Sequence, residues 1–103
     1  MSPPILGLII NRQATDAIVC CIGRITSDTT QSLKATVKPL FSESKRVVLD
    51  LTDVTYLDSS GLGAIIGLYV SAKFANCPLK VIYSNETLKK LFSITRLDQV
   101  LAA

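Results

Sequence analysis

The chain has 103 residues, 49% of them apolar and 18% charged, and its formal net charge is +3. A chain of this size is expected to form one domain over residues 1–103, burying roughly 60–70% of its unfolded surface without disulfide or metal staples. Lys45-Arg46 and Lys89-Lys90 are the only adjacent basic pairs, with no aromatic residues interleaved, so solvated faces are expected there and nucleic-acid binding is not.

Met1-Ser2-Pro3-Pro4 lacks a positively charged leader, and the apolar run Ile5–Ile10 is too short for a signal core. Ile5–Asn11 reads as a first strand and Gln13-Ala14-Thr15-Asp16 as a polar turn. Ala17–Ile25, rich in Ile, Val and Cys, reads as a second strand that closes a hairpin. Thr26-Ser27-Asp28 has the composition of a helix cap, and Thr29–Val37 follows as a first helix with Leu33 and Val37 on one face. Pro39 has no N–H to donate and biases Lys38 away from helical geometry, so this helix is expected to end or kink there. Leu40-Phe41 packs the exit, and Ser42-Glu43-Ser44 leads onward.

Val47-Val48-Leu49-Asp50-Leu51 is a short β-branched run and reads as a buried central strand, with Thr52–Leu57 expected as a connection. Asp58-Ser59-Ser60-Gly61 then opens a long apolar helix, because Asp and Ser oxygens accept bonds from the first free N–H groups of a helix. Ser71 and Lys73 interrupt its apolar run, so it reads as a buried helix and no membrane insertion is expected. Asn76-Cys77-Pro78 breaks the chain, and Leu79–Tyr83 forms another strand. Ser84-Asn85 caps a short helix over Glu86–Ser93, and Arg96–Leu101 leads out. Strands separated by helices indicate an α/β fold, a mixed sheet with helices packed against it.

The chain has no histidine, which removes a Ser-His-Asp triad and any His-containing metal centre. Ser59 lies in D-S-S-G and not in the G-x-S-x-G of a nucleophile elbow, and no phosphate-binding P-loop occurs. Gly61, Gly63 and Gly67 give only a near miss to the dinucleotide fingerprint. Gly63 and Gly67, with Ala64, Ser71 and Ala75 nearby, are instead expected to let one helical face approach the sheet closely. No catalytic residue, metal ligand set or cofactor is therefore expected. Cys20, Cys21 and Cys77 are odd in number, and the adjacent pair would face opposite sides of a strand. They read as reduced apolar fillers of a cytoplasmic protein.

Leu57-Asp58-Ser59-Ser60-Gly61-Leu62-Gly63, following the strand Val47-Val48-Leu49-Asp50-Leu51, closely resembles the core of the STAS domain family, and within it the bacterial anti-sigma factor antagonists. Gly23-Arg24-Ile25 with the helix after it, and Leu91–Leu101, extend the resemblance from about Ile5 to the C-terminus. The resemblance implies a mixed sheet of four to five strands. It also implies a closing strand and helix that the sequence to Ala103 leaves in question.

The resemblance further implies a regulatory protein and not an enzyme. Its unphosphorylated form would bind an anti-sigma factor that is also a serine kinase, releasing a sigma factor. Phosphorylation of Ser59 would end that interaction and a phosphatase would restore it. Ser60 is the secondary acceptor, and Asp58, Ser60, Gly61, Thr26 and Asp28 would form the surrounding loops. Thr26 stands where many members carry Asp, which removes a negative charge that Asp28 could partly replace. A plain N-cap is the structural alternative for Ser59. Leu62, Ile66, Tyr69 and Val70 share one helix face, flanked by Ile65 and Leu68. Core packing is expected for most of them, with Leu62 and Tyr69 as partner contacts. A scaffold or accessory STAS domain, in a signalling complex or beside a membrane transporter, is the alternative function. Weak nucleotide binding near Thr26 and Ser59 is a further idea that the family suggests.

Overall fold

The structure, a computed structural model, describes residues 6–101; Met1-Ser2-Pro3-Pro4 and the expected strand residue Ile5 lie outside the described residues. β1 (Leu6–Gln13) and β2 (Asp16–Ile25) form the expected hairpin, paired antiparallel from Leu6↔Gly23 to Gln13↔Asp16. Ala14 takes a left-handed conformation at the turn, with φ of 54°. α1 (Thr30–Val37) ends before Pro39, but Lys38 keeps helical geometry against expectation, with φ of −56° and ψ of −43°, and a short α2 (Leu40–Glu43) restarts immediately after Pro39. The missing N–H of Pro39 costs nothing at a helix start, which is why a second helix can begin there. β3 (Arg46–Leu57), α3 (Ser59–Phe74), β4 (Leu79–Ile82), α4 (Glu86–Ile94) and α5 (Leu97–Leu101) follow.

Among the described residues the sheet has four strands in the order β1-β2-β3-β4. β1 runs antiparallel to β2, while β2, β3 and β4 are parallel, so the sheet is mixed as expected. Ala17, Val19 and Cys21 of β2 share one face with Val47, Leu49 and Leu51 of β3 and Leu79 and Val81 of β4. Leu33 and Val37 of α1, Ile65 and Leu68 of α3, and Leu88 and Phe92 of α4 join them in one core cluster. Each such side chain contributes roughly 1.5–3 kcal/mol when fully buried. The opposite face leaves Ile9, Ile22 and Ile82 exposed. The helices therefore cover one side of the sheet.

Thr52–Leu57 is not a connection but the second half of β3. Asp53–Leu57 pairs with Ile22–Ile25, after register shifts between Cys20 and Ile22 and between Gly23 and Arg24. These irregularities bury Leu51, Val54 and Leu57, every third residue and not every second, so the strand's alternation is lost. At the first irregularity Asp50 Oδ1 accepts from the Thr52 N–H at 2.9 Å and from its hydroxyl at 2.6 Å. The extension brings the end of β3 up to Asp58.

The three cysteines are free. Burial pushes the Cys21 thiol up to about 12, and the neighbouring Cys20 and Asp50 add to the shift. Such a thiol stays protonated and unreactive. Cys77 is also buried, donating to the Ser44 carbonyl at 3.4 Å. Both behave as apolar fillers, while Cys20 is half-buried on the open face. Among the described residues no helix is long and apolar enough to cross a membrane.

Candidate functional site

Ile25 of β2 pairs with Leu57 of β3, so the two parallel strands end side by side. The chain then turns, and the Asp58 N–H donates to the Ile25 carbonyl at 3.3 Å. Asp58 is extended, with φ of −99° and ψ of −174°, and is the N-cap of α3. Its Oδ1 accepts from the Gly61 N–H at 2.8 Å, and its carbonyl accepts from the Leu62 N–H at 2.9 Å. A carboxylate here satisfies an otherwise free donor and complements the positive end of the helix.

Ser59 is therefore not the cap that the structural alternative made it. It is the first helical residue, and helical geometry turns its side chain away from the N–H groups that Asp58 caps. Ser59 and Ser60 are both exposed. Asp58 and Gly61 sit beside them in the same turn, as the sequence places them. No hydrogen bond engages either serine hydroxyl among the described residues.

Gly61 is the residue that permits close approach. A Cβ there would strike the Ile25 carbonyl, and would lie 2.6 Å from Leu57 Cδ1 and 2.9 Å from Ile25 Cγ2. The end of β2 is thereby packed under the first turn of α3. Gly63 and Gly67 do not have the expected role. A Cβ at either meets nothing within 4 Å, and Gly63 faces solvent. The sheet-facing residues of α3 are Gly61, Ala64, Ile65, Leu68 and Ala72.

The β2–α1 loop leaves the same end of the sheet, directly after Ile25. Thr26-Ser27-Asp28 does not cap α1, because the N-cap is Thr29 and its side chain makes no capping bond. Buried Thr29 instead ties the loop back on itself. Its Oγ1 accepts from the Thr26 N–H at 2.9 Å and donates to the Arg24 carbonyl at 3.0 Å. Thr26 is half-buried and Asp28 exposed. Among the described residues no hydrogen bond or ion pair links either to Asp58 or Ser59. Asn85 caps α4, accepting from the Thr87 N–H at 2.7 Å and from Leu88 at 3.4 Å, and its Nδ2 donates to the Val54 carbonyl at 3.4 Å. Three helices thus start at the carboxyl ends of the three parallel strands.

The STAS domain family model matches residues 8–102. The chain belongs to the STAS domain family. The anti-sigma-B factor antagonist of Bacillus subtilis is 29% identical over 96 residues, covering 93% of this chain and 88% of that protein. The crystal structure of an anti-sigma factor antagonist from Mycobacterium paratuberculosis has a TM-score of 0.84 at 19% identity, over 98% of this chain and 87% of that one. Unphosphorylated SpoIIAA has a TM-score of 0.75 at 13% identity, over 88% of this chain and 82% of that one. The Bacillus cell fate determinant SpoIIAA in its phosphorylated form gives 0.72 at 12% identity, over 90% and 86%. At these identities the solved structures speak for the fold alone, and they agree on a STAS fold.

In this STAS domain the outer side of α3 carries a stripe that core packing does not absorb. Ile66 is 38% exposed, Val70 45% and Phe74 86%. The expectation that most of this apolar face packs in the core therefore fails for Ile66 and Val70. Both lie with Ser59 and Gly63 on one side of the helix at 3.6 residues per turn. Leu62 and Tyr69 lie on the flank, half-buried against the core, and the Lys73 ammonium stands 5.5 Å over the Tyr69 ring. Phe74 was missed; its place at the C-terminal end of an apolar helix is the signal that could have found it. A groove of about 450 Å³ between Tyr69, Lys73, Asn76 and Pro78 lies at that far end of α3, away from Ser59.

Proposed function

We propose that this chain is an anti-sigma factor antagonist whose unphosphorylated form binds an anti-sigma factor with serine kinase activity, and that phosphorylation of Ser59 releases it. Ser60 is the secondary acceptor. The observation that carries the reading is the division of roles at the start of α3: Asp58 makes the cap bond, and Ser59 beside it is exposed with an unengaged hydroxyl. The relative from Bacillus subtilis, named an anti-sigma-B factor antagonist, supports the class of partner.

The switch acts on binding and not on folding. A phosphoserine adds about −1.5 to −2 charge. At the first helical position the helix end stabilises it by up to ~2 kcal/mol, opposed by the Asp58 carboxylate. No hydrogen bond of the fold is lost, because the Ser59 hydroxyl makes none among the described residues. SpoIIAA has been solved in both states, and each matches this fold. A partner seated along Ser59, Gly63, Ile66 and Val70 would instead have to desolvate or pair a dianion inside a closed contact. Leu62 and Tyr69 border that contact. Thr26 and Asp28 lie on the loop that leaves the same end of the sheet.

The test is intact-mass spectrometry after incubation with ATP and the cognate kinase-type anti-sigma factor. A single phosphoryl group is expected on wild type and on Ser60→Ala, and none on Ser59→Ala. Ser59→Asp is expected to lose partner binding while keeping the far-UV circular dichroism of wild type. Unmodified wild type beside a kinase active on a second substrate would overturn the switch and favour the scaffold role. Tight binding by Ser59→Asp would overturn the release mechanism.

A further inference from the structure

We propose that two copies of this chain associate through their β1 strands, antiparallel about a two-fold axis at Ile9, so that two four-stranded sheets become one of eight. The inference does not depend on Ser59.

β1 is an edge strand, and every second residue along it points its N–H and C=O away from β2. Among the described residues no strand takes up those groups. Exposed edges are usually blunted by shortness, by bulges, by proline or by charge. The other edge of this sheet follows that rule: β4 has four residues and carries exposed Lys80. β1 does not. It is eight residues long, LGLIINRQ, and its register with β2 is continuous. It contains no proline. Its one charge, Arg12, is taken by Glu43 at 3.0 Å.

The occupant that fits is a second β1. In an antiparallel pair, directly opposed residues share a face, so a two-fold contact must centre on a residue. Centring on Ile9 sets Ile9 against Ile9 of the second copy, on the open face of the sheet. On the helix-covered face it sets Ile10 against Leu8 of the second copy, and Leu6 against Arg12. Ile9 is 55% and Ile10 40% exposed in the single chain, and this register covers both. The two Arg12 side chains end up well apart, each opposite an apolar residue, so no like charges meet. A single edge pairing buries less than the roughly 800 Å² per partner of a standard stable interface, so the dimer dissociates on dilution.

Sedimentation velocity from micromolar to millimolar protein tests this. Wild type is expected to pass from monomer to dimer across that range. Ile9→Lys, which sets two ammonium groups face to face at the two-fold, is expected to remain monomeric with unchanged circular dichroism. Ile82→Lys, on the open face at the opposite edge, is expected to dimerise like wild type. Amide exchange on wild type needs no variant: alternate β1 amides are expected to exchange more slowly in concentrated than in dilute protein. A monomer at millimolar concentration overturns the proposal. So does a dimer that survives Ile9→Lys, and so does β1 exchange that is independent of concentration.

Discussion

Two glycines of one short motif should respond to alanine with opposite signs. At Gly61 an added Cβ would meet the Ile25 carbonyl, with Leu57 Cδ1 at 2.6 Å and Ile25 Cγ2 at 2.9 Å. Leu57 can rotate, but the carbonyl belongs to a paired strand and accepts from the Asp58 N–H at 3.3 Å. Overpacking of this kind costs about 1–3 kcal/mol, and stretching that hydrogen bond adds about 0.5–1.5 kcal/mol. Better helix propensity returns about 0.5–1 kcal/mol, leaving a net loss of about 0.5–4 kcal/mol. At Gly63 nothing lies within 4 Å of the new Cβ, so only the propensity gain remains. Urea unfolding followed by circular dichroism measures both. With about 4–8 °C per kcal/mol for a domain of this size, Gly61→Ala should melt on the order of 10 °C lower and Gly63→Ala a few degrees higher. Gly61→Ala within half a kcal/mol of wild type (~0.5) would refute the close approach. If Ser59 is the switch, Gly63→Ala should also weaken partner binding while stabilising the fold.

Three further predictions concern a helix cap, a loop tie and a buried thiol. Asp58→Ala removes the cap of α3 and should cost about 0.5–2 kcal/mol in urea unfolding, while Asp58→Asn should recover most of it. Thr29→Val keeps the shape but leaves the Thr26 N–H and the Arg24 carbonyl without their partner, a loss of about 1–3 kcal/mol, whereas Thr29→Ser should retain both bonds. Cys21 is raised from 9.0 to about 12 by burial, so the unfolded chain releases its proton first. Its contribution is complete below pH 9 and falls as pH rises from there towards 12, by at most about 1.4 kcal/mol per pH unit. The stability advantage of wild type over Cys21→Ala should shrink across that window, and a constant difference would contradict the burial argument.

What was legible in the sequence is what local chemistry decides. Pro39 cannot donate to a helix interior and so divides α1 from α2, and Asp58 and Asn85 carry the oxygen that a free N–H needs. The hairpin from Leu6 to Ile25 is legible as two apolar, β-branched runs either side of the polar turn Gln13–Asp16. The second half of β3 was not legible, because its register shifts bury Leu51, Val54 and Leu57 at a spacing no strand template has. The choice of Thr29 over Thr26, Ser27 and Asp28 was hidden for a different reason. All four can cap, and Thr29 commits its hydroxyl to the Thr26 N–H and the Arg24 carbonyl just before it in the chain, which composition alone does not select. The faces of α3 were hidden by composition. The helix is apolar on every side, so periodicity cannot say which side meets the sheet.

That uniform apolarity also bears on function. Ile66 and Val70 bury only part of their surface in the fold and Phe74 little of it, with 38%, 45% and 86% left exposed. In water those side chains cost solubility, and about 25 cal/mol per Å² of their apolar surface becomes available only when something covers it. Ser59 stands at the head of that stripe. Asp58 takes over the capping bond, so Ser59 can be modified without loosening the helix that presents the stripe. In the proposed mechanism the two features need each other. The stripe provides binding free energy that does not discriminate between states, and the charge at Ser59 makes it conditional. Ile66→Ala and Val70→Ala should therefore weaken binding of the unphosphorylated chain without altering its phosphorylation by a kinase present in excess. Ser59→Ala should do the reverse, binding normally and refusing the phosphoryl group.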